Sequence, residues 1–152
     1  MSGATERRER HRSDGAERTE ELAAELAADL RPGDVILLSG DLGSGKTTFV
    51  RGAARALGVS GPVTSPTFTI GQRYEGRVPV SHLDLHRLAG DAGLAGEDPA
   101  LLDDYLTADA IAFVEWPEPA ATAIAAPAAT VTLTHAGGDA REITIERHRT
   151  SE

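Results

Sequence analysis

The chain contains no cysteine. Disulfides, thiolate metal sites and a cysteine nucleophile are therefore excluded. Positive charge is also scarce: 15 Lys and Arg stand against 24 Asp and Glu, a formal net charge of −9. Direct, tight binding to nucleic acid needs a basic face that neutralises phosphates, so any role near RNA points to a partner that holds the RNA. No apolar stretch approaches the ~20 residues needed to span a bilayer. The first residues, Met1-Ser-Gly-Ala-Thr-Glu-Arg-Arg8, lack the apolar core of a secretory signal. The expectation is a cytoplasmic protein without a membrane segment.

What is present suits one domain. At 152 residues a chain buries roughly 68–70% of its unfolded surface, enough for one core. Residues 1–15 are polar and charged without periodicity, and are expected to be a disordered tail; residues 149–152 are expected to be a second, short tail. Between them, residues 16–148 read as a single domain. Leu22, Ala23, Leu26, Ala27 and Leu30 follow helical spacing from about Ala16, and Pro32-Gly33 stops that helix. Asp34 to Ser39 contains a continuous apolar run, as in a strand buried on both faces. Lys46 to Leu57 reads as a helix with Phe49, Val50, Ala53, Ala54 and Leu57 inside and Gly58 as its stop.

Val59 to Gln72 reads as a loop with a short strand at Phe68–Ile70, and a strand is expected within Val78–Leu85. Ala89 to Asp98 is expected to be a loop. Pro99 to Leu106 is expected to form one short helix. Ala110 to Val114 is a second buried strand, and Pro117 to Ala126 is Ala-rich and expected to be helical. Thr130–Thr134 and Arg141–Glu146 alternate polar and apolar around Ala136-Gly-Gly-Asp139, which predicts a C-terminal hairpin. The fold class is α/β, with a mixed sheet flanked by helices.

Gly40-Asp-Leu-Gly-Ser-Gly-Lys-Thr-Thr48 matches the Walker A pattern, with a strand before it and a helix after it. Its glycines allow backbone angles that turn successive N–H groups inward as an anion nest. The helix that starts near Lys46 adds the positive end of its dipole. Lys46 reaches the β- and γ-phosphates, and the Thr47 hydroxyl ligates Mg²⁺. Gly40, Asp41, Leu42, Gly43, Ser44, Gly45, Lys46, Thr47 and Thr48 are therefore the candidate nucleotide cradle. Thr48 either contacts the α-phosphate or continues the helix.

A P-loop uses a second acid near the metal, at the end of a neighbouring buried strand. Glu115 ends the strand Ala110–Val114 and is assigned to Mg²⁺, directly or through water. Asp84 is assigned to the γ-phosphate side, orienting the attacking water or assisting the metal, with Lys46 as the other catalytic group. Trp116, the only Trp, packs over the nucleotide, against a partner, or as an ordinary rim aromatic. Thr64-Ser-Pro-Thr67 reads, from its composition, as an ordinary turn. On a strand, His82, Asp84 and His86 would share one face. No fourth ligand is evident, so surface or hydrogen-bonded histidines are favoured over a metal site. Arg51 and Arg55 read as a solvated helix face.

Four blocks in this order carry a resemblance: Gly40–Thr48, Ser65-Pro-Thr-Phe68, His82-Leu-Asp-Leu-His-Arg-Leu88 and Val114-Glu-Trp-Pro-Glu118. Together they resemble the TsaE family of small P-loop ATPases in bacterial tRNA threonylcarbamoyladenosine biosynthesis, over roughly residues 17–146. The resemblance implies a P-loop fold and weak hydrolysis of ATP that depends on two partners, TsaB and TsaD. TsaD modifies adenosine 37 of the tRNA, and the ATP cycle resets the TsaB–TsaD complex, so tRNA is met only through the complex. It implies magnesium-associated roles for Thr47 and Glu115 and site roles for Asp84 and Trp116. It makes Thr64–Thr67 a switch loop, and places Thr19 and Arg141 near the nucleotide. His86 stands where the family usually has Tyr, and Ser44 where Ala is common. The alternatives are a small-molecule kinase, which would need an acceptor pocket and a closing basic lid, and a nucleotide-binding module without turnover.

Overall fold

The computed structural model describes residues 7–41, 43–64, 70–86, 102–117, 124 and 126–148. They build one seven-stranded sheet and two helices. In chain order these are β1 (Arg7–Ser13), α1 (Ala16–Ala27), β2 (Val35–Ser39), α2 (Lys46–Ala56), β3 (Gly71–Glu75), β4 (Pro79–Asp84), β5 (Ile111–Glu115), β6 (Ala129–His135) and β7 (Arg141–Arg147). The strand order is β1-β7-β6-β2-β5-β4-β3. β6, β2, β5 and β4 run parallel to one another. Antiparallel pairs flank this centre: β7 and β1 on one side, β3 on the other.

The parallel centre explains the apolar composition of β2 and β5, since strands covered on both faces cannot alternate with water. All five residues of β5 are buried. Both helices pack on one face. Leu22, Leu26, Phe49 and Val50 join Ile36, Leu38, Phe113, Val131 and Ile143 in the larger core. On the opposite face Leu83, Val114, Leu102 and Ile124 form a smaller cluster, with Val35 and Leu37 against it. α1 buries Thr19, Leu22, Ala23, Leu26 and Ala27, the i, i+3, i+4 stripe of an amphipathic helix. α1 and α2 approach closely at Gly52, where an added Cβ would lie 2.5 Å from the Glu20 Cα.

Three expectations need correction. The expected N-terminal tail is instead a strand over Arg7–Ser13, paired with β7 along its whole length. Arg8, Arg10 and Arg12 are exposed, while Glu9 and His11 are half-buried and Ser13 is buried. Glu9 accepts from Arg7, at 3.0 and 2.7 Å, and from Arg147 at 2.8 Å. Backbone pairing and these ion pairs hold a strand that has no apolar side chain. Gly71–Glu75, partly placed in a loop, is strand β3; of the strand expected at 68–70 only Ile70 is described, and it precedes β3 as a bend. Of the helix expected from Pro99, the described residues form only a turn, in which the Leu102 carbonyl accepts from the N–H groups of Tyr105 and Leu106. The helix expected at 117–126 lies almost wholly outside the described residues. The C-terminal hairpin is present as β6–β7.

Candidate functional site

The parallel strands end their carboxyl termini along one edge of the sheet, where α/β folds of this kind place ligands. β2 delivers the glycine loop there, β5 delivers Glu115 and β4 delivers Asp84. In the register Leu38, Glu115 and Asp84 are neighbours across three strands, so their side chains share the face covered by the helices. A cleft of about 300 Å³ opens at this edge, lined by Gly43, Gly45, Thr48, Asp84 and Trp116 together with Lys46, Thr47 and Glu115.

The loop owes its shape to glycine. Gly40, Gly43 and Gly45 have φ of 149°, 78° and 104°, which side chains disfavour. A Cβ on Gly40 would also lie 2.4 Å from the Leu133 carbonyl oxygen and 2.6 Å from Ser44 Oγ. Gly45 is the residue before α2, so the first turn of that helix points its free N–H groups at the cleft. Asp41 is exposed at the loop's outer side and Ser44 is buried. Leu42 and residues 65–69 lie outside the described residues, which removes the switch loop from view except Thr64. The Thr64 N–H lies 3.4 Å from the Tyr74 hydroxyl.

Lys46 is buried, and its Nζ donates to the carbonyls of Gly40 at 2.6 Å and Asp41 at 3.0 Å. The same ammonium lies 4.7 Å from the centre of the Trp116 ring, a cation–π distance. Trp116 has φ of 57°. A non-glycine residue in this region stores strain of about 1–3 kcal/mol, which structures retain mostly at functional sites. His86 packs its ring 4.7 Å from that of Trp116. The His86 N–H also donates to Asp84 Oδ1 at 3.0 Å.

Glu115 is the polar centre of the site and is only 3% exposed. Its Oε2 accepts from the Thr47 hydroxyl at 3.0 Å and lies 2.5 Å from His82 Nε2. His82 is thus a hydrogen-bonded histidine rather than a surface one, and it is fully buried. Composition and spacing held no signal for its acceptor: only the β4–β5 register sets it diagonally beside Glu115. No group of three or more His, Asp or Glu among the described residues is arranged to hold a metal alone. The hydroxyl of Thr47 and the carboxylate of Glu115 are hard oxygen donors, and Mg²⁺ typically takes one or two of these and completes its shell with phosphate and water. The residues present fit a phosphate-bound Mg²⁺.

Arg141 stands behind the loop, and Thr19 lies beside the strand that pairs with it. Arg141 donates through Nε to the Ser44 carbonyl at 3.2 Å and through Nη2 to the Gly43 carbonyl at 3.0 Å, while Nη1 holds Gly138 and Ala140. The guanidinium therefore grips the outward carbonyls of the loop whose N–H groups face inward. Thr19 is buried at the start of α1, with its hydroxyl 2.7 Å from that of Ser13, the register partner of Arg141. Arg51 and Arg55 form ion pairs with Glu20 on the outer face of the helix pair.

Comparison with known proteins agrees with this geometry. The family described as "Threonylcarbamoyl adenosine biosynthesis protein TsaE" matches residues 13–143. A tRNA threonylcarbamoyladenosine biosynthesis protein TsaE of Bacillus subtilis is 38% identical over 130 residues, 85% of this chain and 79% of that protein. The protein of the same name from Streptomyces coelicolor is 46% identical over 101 residues, 64% of this chain and 66% of its own. The crystal structure of Bacillus subtilis YdiB superposes with a TM-score of 0.77 at 33% identity, covering 95% of this chain and 88% of that one. With a mixed sheet, a glycine loop between β2 and α2, and a family match over most of its length, the chain belongs to the TsaE family of tRNA threonylcarbamoyladenosine biosynthesis proteins and has a P-loop NTPase fold.

Proposed function

We propose that the protein binds ATP with Mg²⁺ and hydrolyses it slowly alone and faster with TsaB and TsaD, so that each cycle resets the TsaB–TsaD complex for another modification of adenosine 37. The observation that carries this reading is the Thr47–Glu115 hydrogen bond of 3.0 Å beside the buried Lys46. It brings a hydroxyl, a carboxylate and an ammonium together at the mouth of an amide-lined loop. Mg²⁺, when bound with the nucleotide, would neutralise charge on the phosphates and would be held by Thr47 and Glu115.

The chain's own residues do the rest. Gly40 to Thr48 wrap the triphosphate with main-chain N–H groups. Lys46 exchanges its two carbonyl acceptors for phosphate oxygens and leaves the Trp116 ring. Asp84, on the same face as Glu115, orients the attacking water. Trp116 covers the open side of the cleft. Arg141 and Thr19 act from behind the loop, Arg141 by fixing the carbonyls of Gly43 and Ser44. The acidic net charge of −9 fits contact with tRNA through the partners, in the cytoplasm.

Steady-state phosphate release tests the reading. Release should be slow for the isolated chain and should rise when TsaB and TsaD are added. In vitro modification of tRNA should stall after about one turnover per complex without this chain and continue with it. Equal turnover with and without the chain would refute the reset, and absence of phosphate release in the full mixture would leave a binding module.

A further inference from the structure

His82 touches the site only through Glu115 and has been given no role in it, yet it is fully buried. Its exposure is 0%. The ring sits on the helix-covered face of β4, between Val80 and Asp84, with Phe113 as its register neighbour. It is not among the residues that line the cleft, whereas Glu115 is. One nitrogen, Nε2, meets Glu115 Oε2 at 2.5 Å; the other, Nδ1, is buried and has no hydrogen-bond partner among the described residues.

That asymmetry is informative. A buried polar group without a partner costs about 1–3 kcal/mol, so a histidine kept only for packing should be replaced by an apolar residue or given a second partner. The ring makes one polar contact of consequence, to the carboxylate that Thr47 also touches. An ionised carboxylate only accepts, so the imidazole donates from Nε2 and Nδ1 carries the lone pair. This tautomer leaves no N–H unsatisfied, since a proton on Nδ1 would have no acceptor. Thr47 and His82 then hold the same oxygen from two directions, and the Glu115 side chain loses its freedom to swing.

We propose that His82 is a positioning residue which, through its Nε2–H, fixes the Glu115 carboxylate in the orientation that couples nucleotide binding to Mg²⁺. The proposal rests on the reading of Glu115 as the magnesium-side carboxylate. Groups that orient a metal-associated ligand in this way typically change metal affinity by about 10–100-fold when removed. The effect falls on the metal-dependent part of nucleotide binding and not on the amide cradle, because the described hydrogen bond of the imidazole goes to the Glu115 carboxylate.

Calorimetry with ATP, in excess Mg²⁺ and separately in EDTA, tests this on the full chain. The quantity of interest is the ratio of the two dissociation constants. His82→Leu removes the donor while keeping an apolar ring-sized filler and deleting the unpartnered Nδ1; its melting temperature should stay within a few degrees of wild type, and its ratio should fall about tenfold or more. His82→Gln can place an amide N–H near the Nε2 position and should keep most of the ratio, whereas the shorter His82→Asn should not. Affinity in EDTA should be the same in all four proteins. The proposal is overturned by an unchanged ratio in His82→Leu, by equal losses in His82→Gln and His82→Leu, or by a parallel loss of affinity in EDTA. Glu115→Gln separates the two claims. If it leaves the ratio at the wild-type value, the role of Glu115 fails and that of His82 with it; if it lowers the ratio and His82→Leu does not, only the role of His82 fails.

Discussion

Replacement of Gly52 by Ala should destabilise the protein although Ala is the better helix former. Gly52 lies inside α2 at its crossing with α1, and the added Cβ would stand 2.5 Å from Glu20 Cα, 2.6 Å from Glu20 O and 2.8 Å from Glu20 Cβ. Two of these atoms are backbone, so no side-chain rotation relieves the clash. Ordinary carbon contacts lie near 3.5–4.0 Å, and α1 must retreat by roughly 1 Å against a core that includes Leu22, Leu26, Phe49 and Val50. Overpacking of this kind costs about 1–3 kcal/mol. The gain in helix propensity returns about 0.8–1 kcal/mol. The net is a loss of roughly 0–2 kcal/mol, centred near 1, and a loss of about 1 kcal/mol lowers the melting temperature of a domain of this size by about 2–4 °C. Because α2, the other partner in this contact, starts at Lys46, the strain it shares should also weaken nucleotide binding. Thermal denaturation followed by circular dichroism gives the first number and calorimetry the second. A melting temperature raised by the substitution would show that propensity outweighs the contact, and the helix–helix geometry would be wrong.

The other predictions concern charge. Glu115→Ala should still bind nucleotide through the loop, with its Mg²⁺-dependent affinity reduced, and at saturating ATP should hydrolyse it at least tenfold more slowly, as loss of charge stabilisation in a transition state costs a few kcal/mol; single-turnover phosphate release checks this, and full turnover would remove Glu115 from the mechanism. Glu9 supplies an acid-sensitive clamp between β1 and β7. Burial raises its pKa, but hydrogen bonds from Arg7 and His11 and the charge and hydrogen bond of Arg147 outweigh this and lower it from 4.5 to about 2. A depressed folded-state pKa means that the stabilisation is present above about 4.5 and is lost as pH falls towards 2. Allowing for partial solvent screening, it amounts to roughly 1–3 kcal/mol at pH 7. Glu9→Gln should therefore melt below wild type at pH 7, and the two curves should converge near pH 2; a gap that persists there would contradict the linkage.

Most of the candidate site was legible because a phosphate-binding loop constrains local sequence. Gly40, Gly45, Lys46 and Thr47 are close in the chain, and the strand and helix around them carry strong apolar patterns. Glu115 was legible for a similar reason, as the acid at the end of a buried run. β1 was not legible: Arg7–Ser13 has no apolar face, and its position depends on pairing with β7, whose register partners are 128 to 140 residues away. β3 is an edge strand with the same defect, Gln72 to Glu75 being polar apart from the Tyr ring. Arg141 could be linked to the site only through family resemblance, and its hydrogen bonds to Ser44 and Gly43 span 97 and 98 residues. His82 shows the limit most sharply. Its placement on a strand could be read from alternation, but its acceptor depends on the register between β4 and β5, which no local pattern encodes.

The central claim is that the loop between β2 and α2 grips the phosphates of ATP through its amides and Lys46. Titration of ATP with Mg²⁺ into the folded protein in a calorimeter tests it most directly. The account predicts saturable heat at one site in wild type and, in Lys46→Ala, a loss of about 2–4 kcal/mol of binding free energy, or roughly 30- to 1000-fold in affinity. Equal affinity in the two proteins, or no heat in wild type with or without TsaB and TsaD, would contradict it.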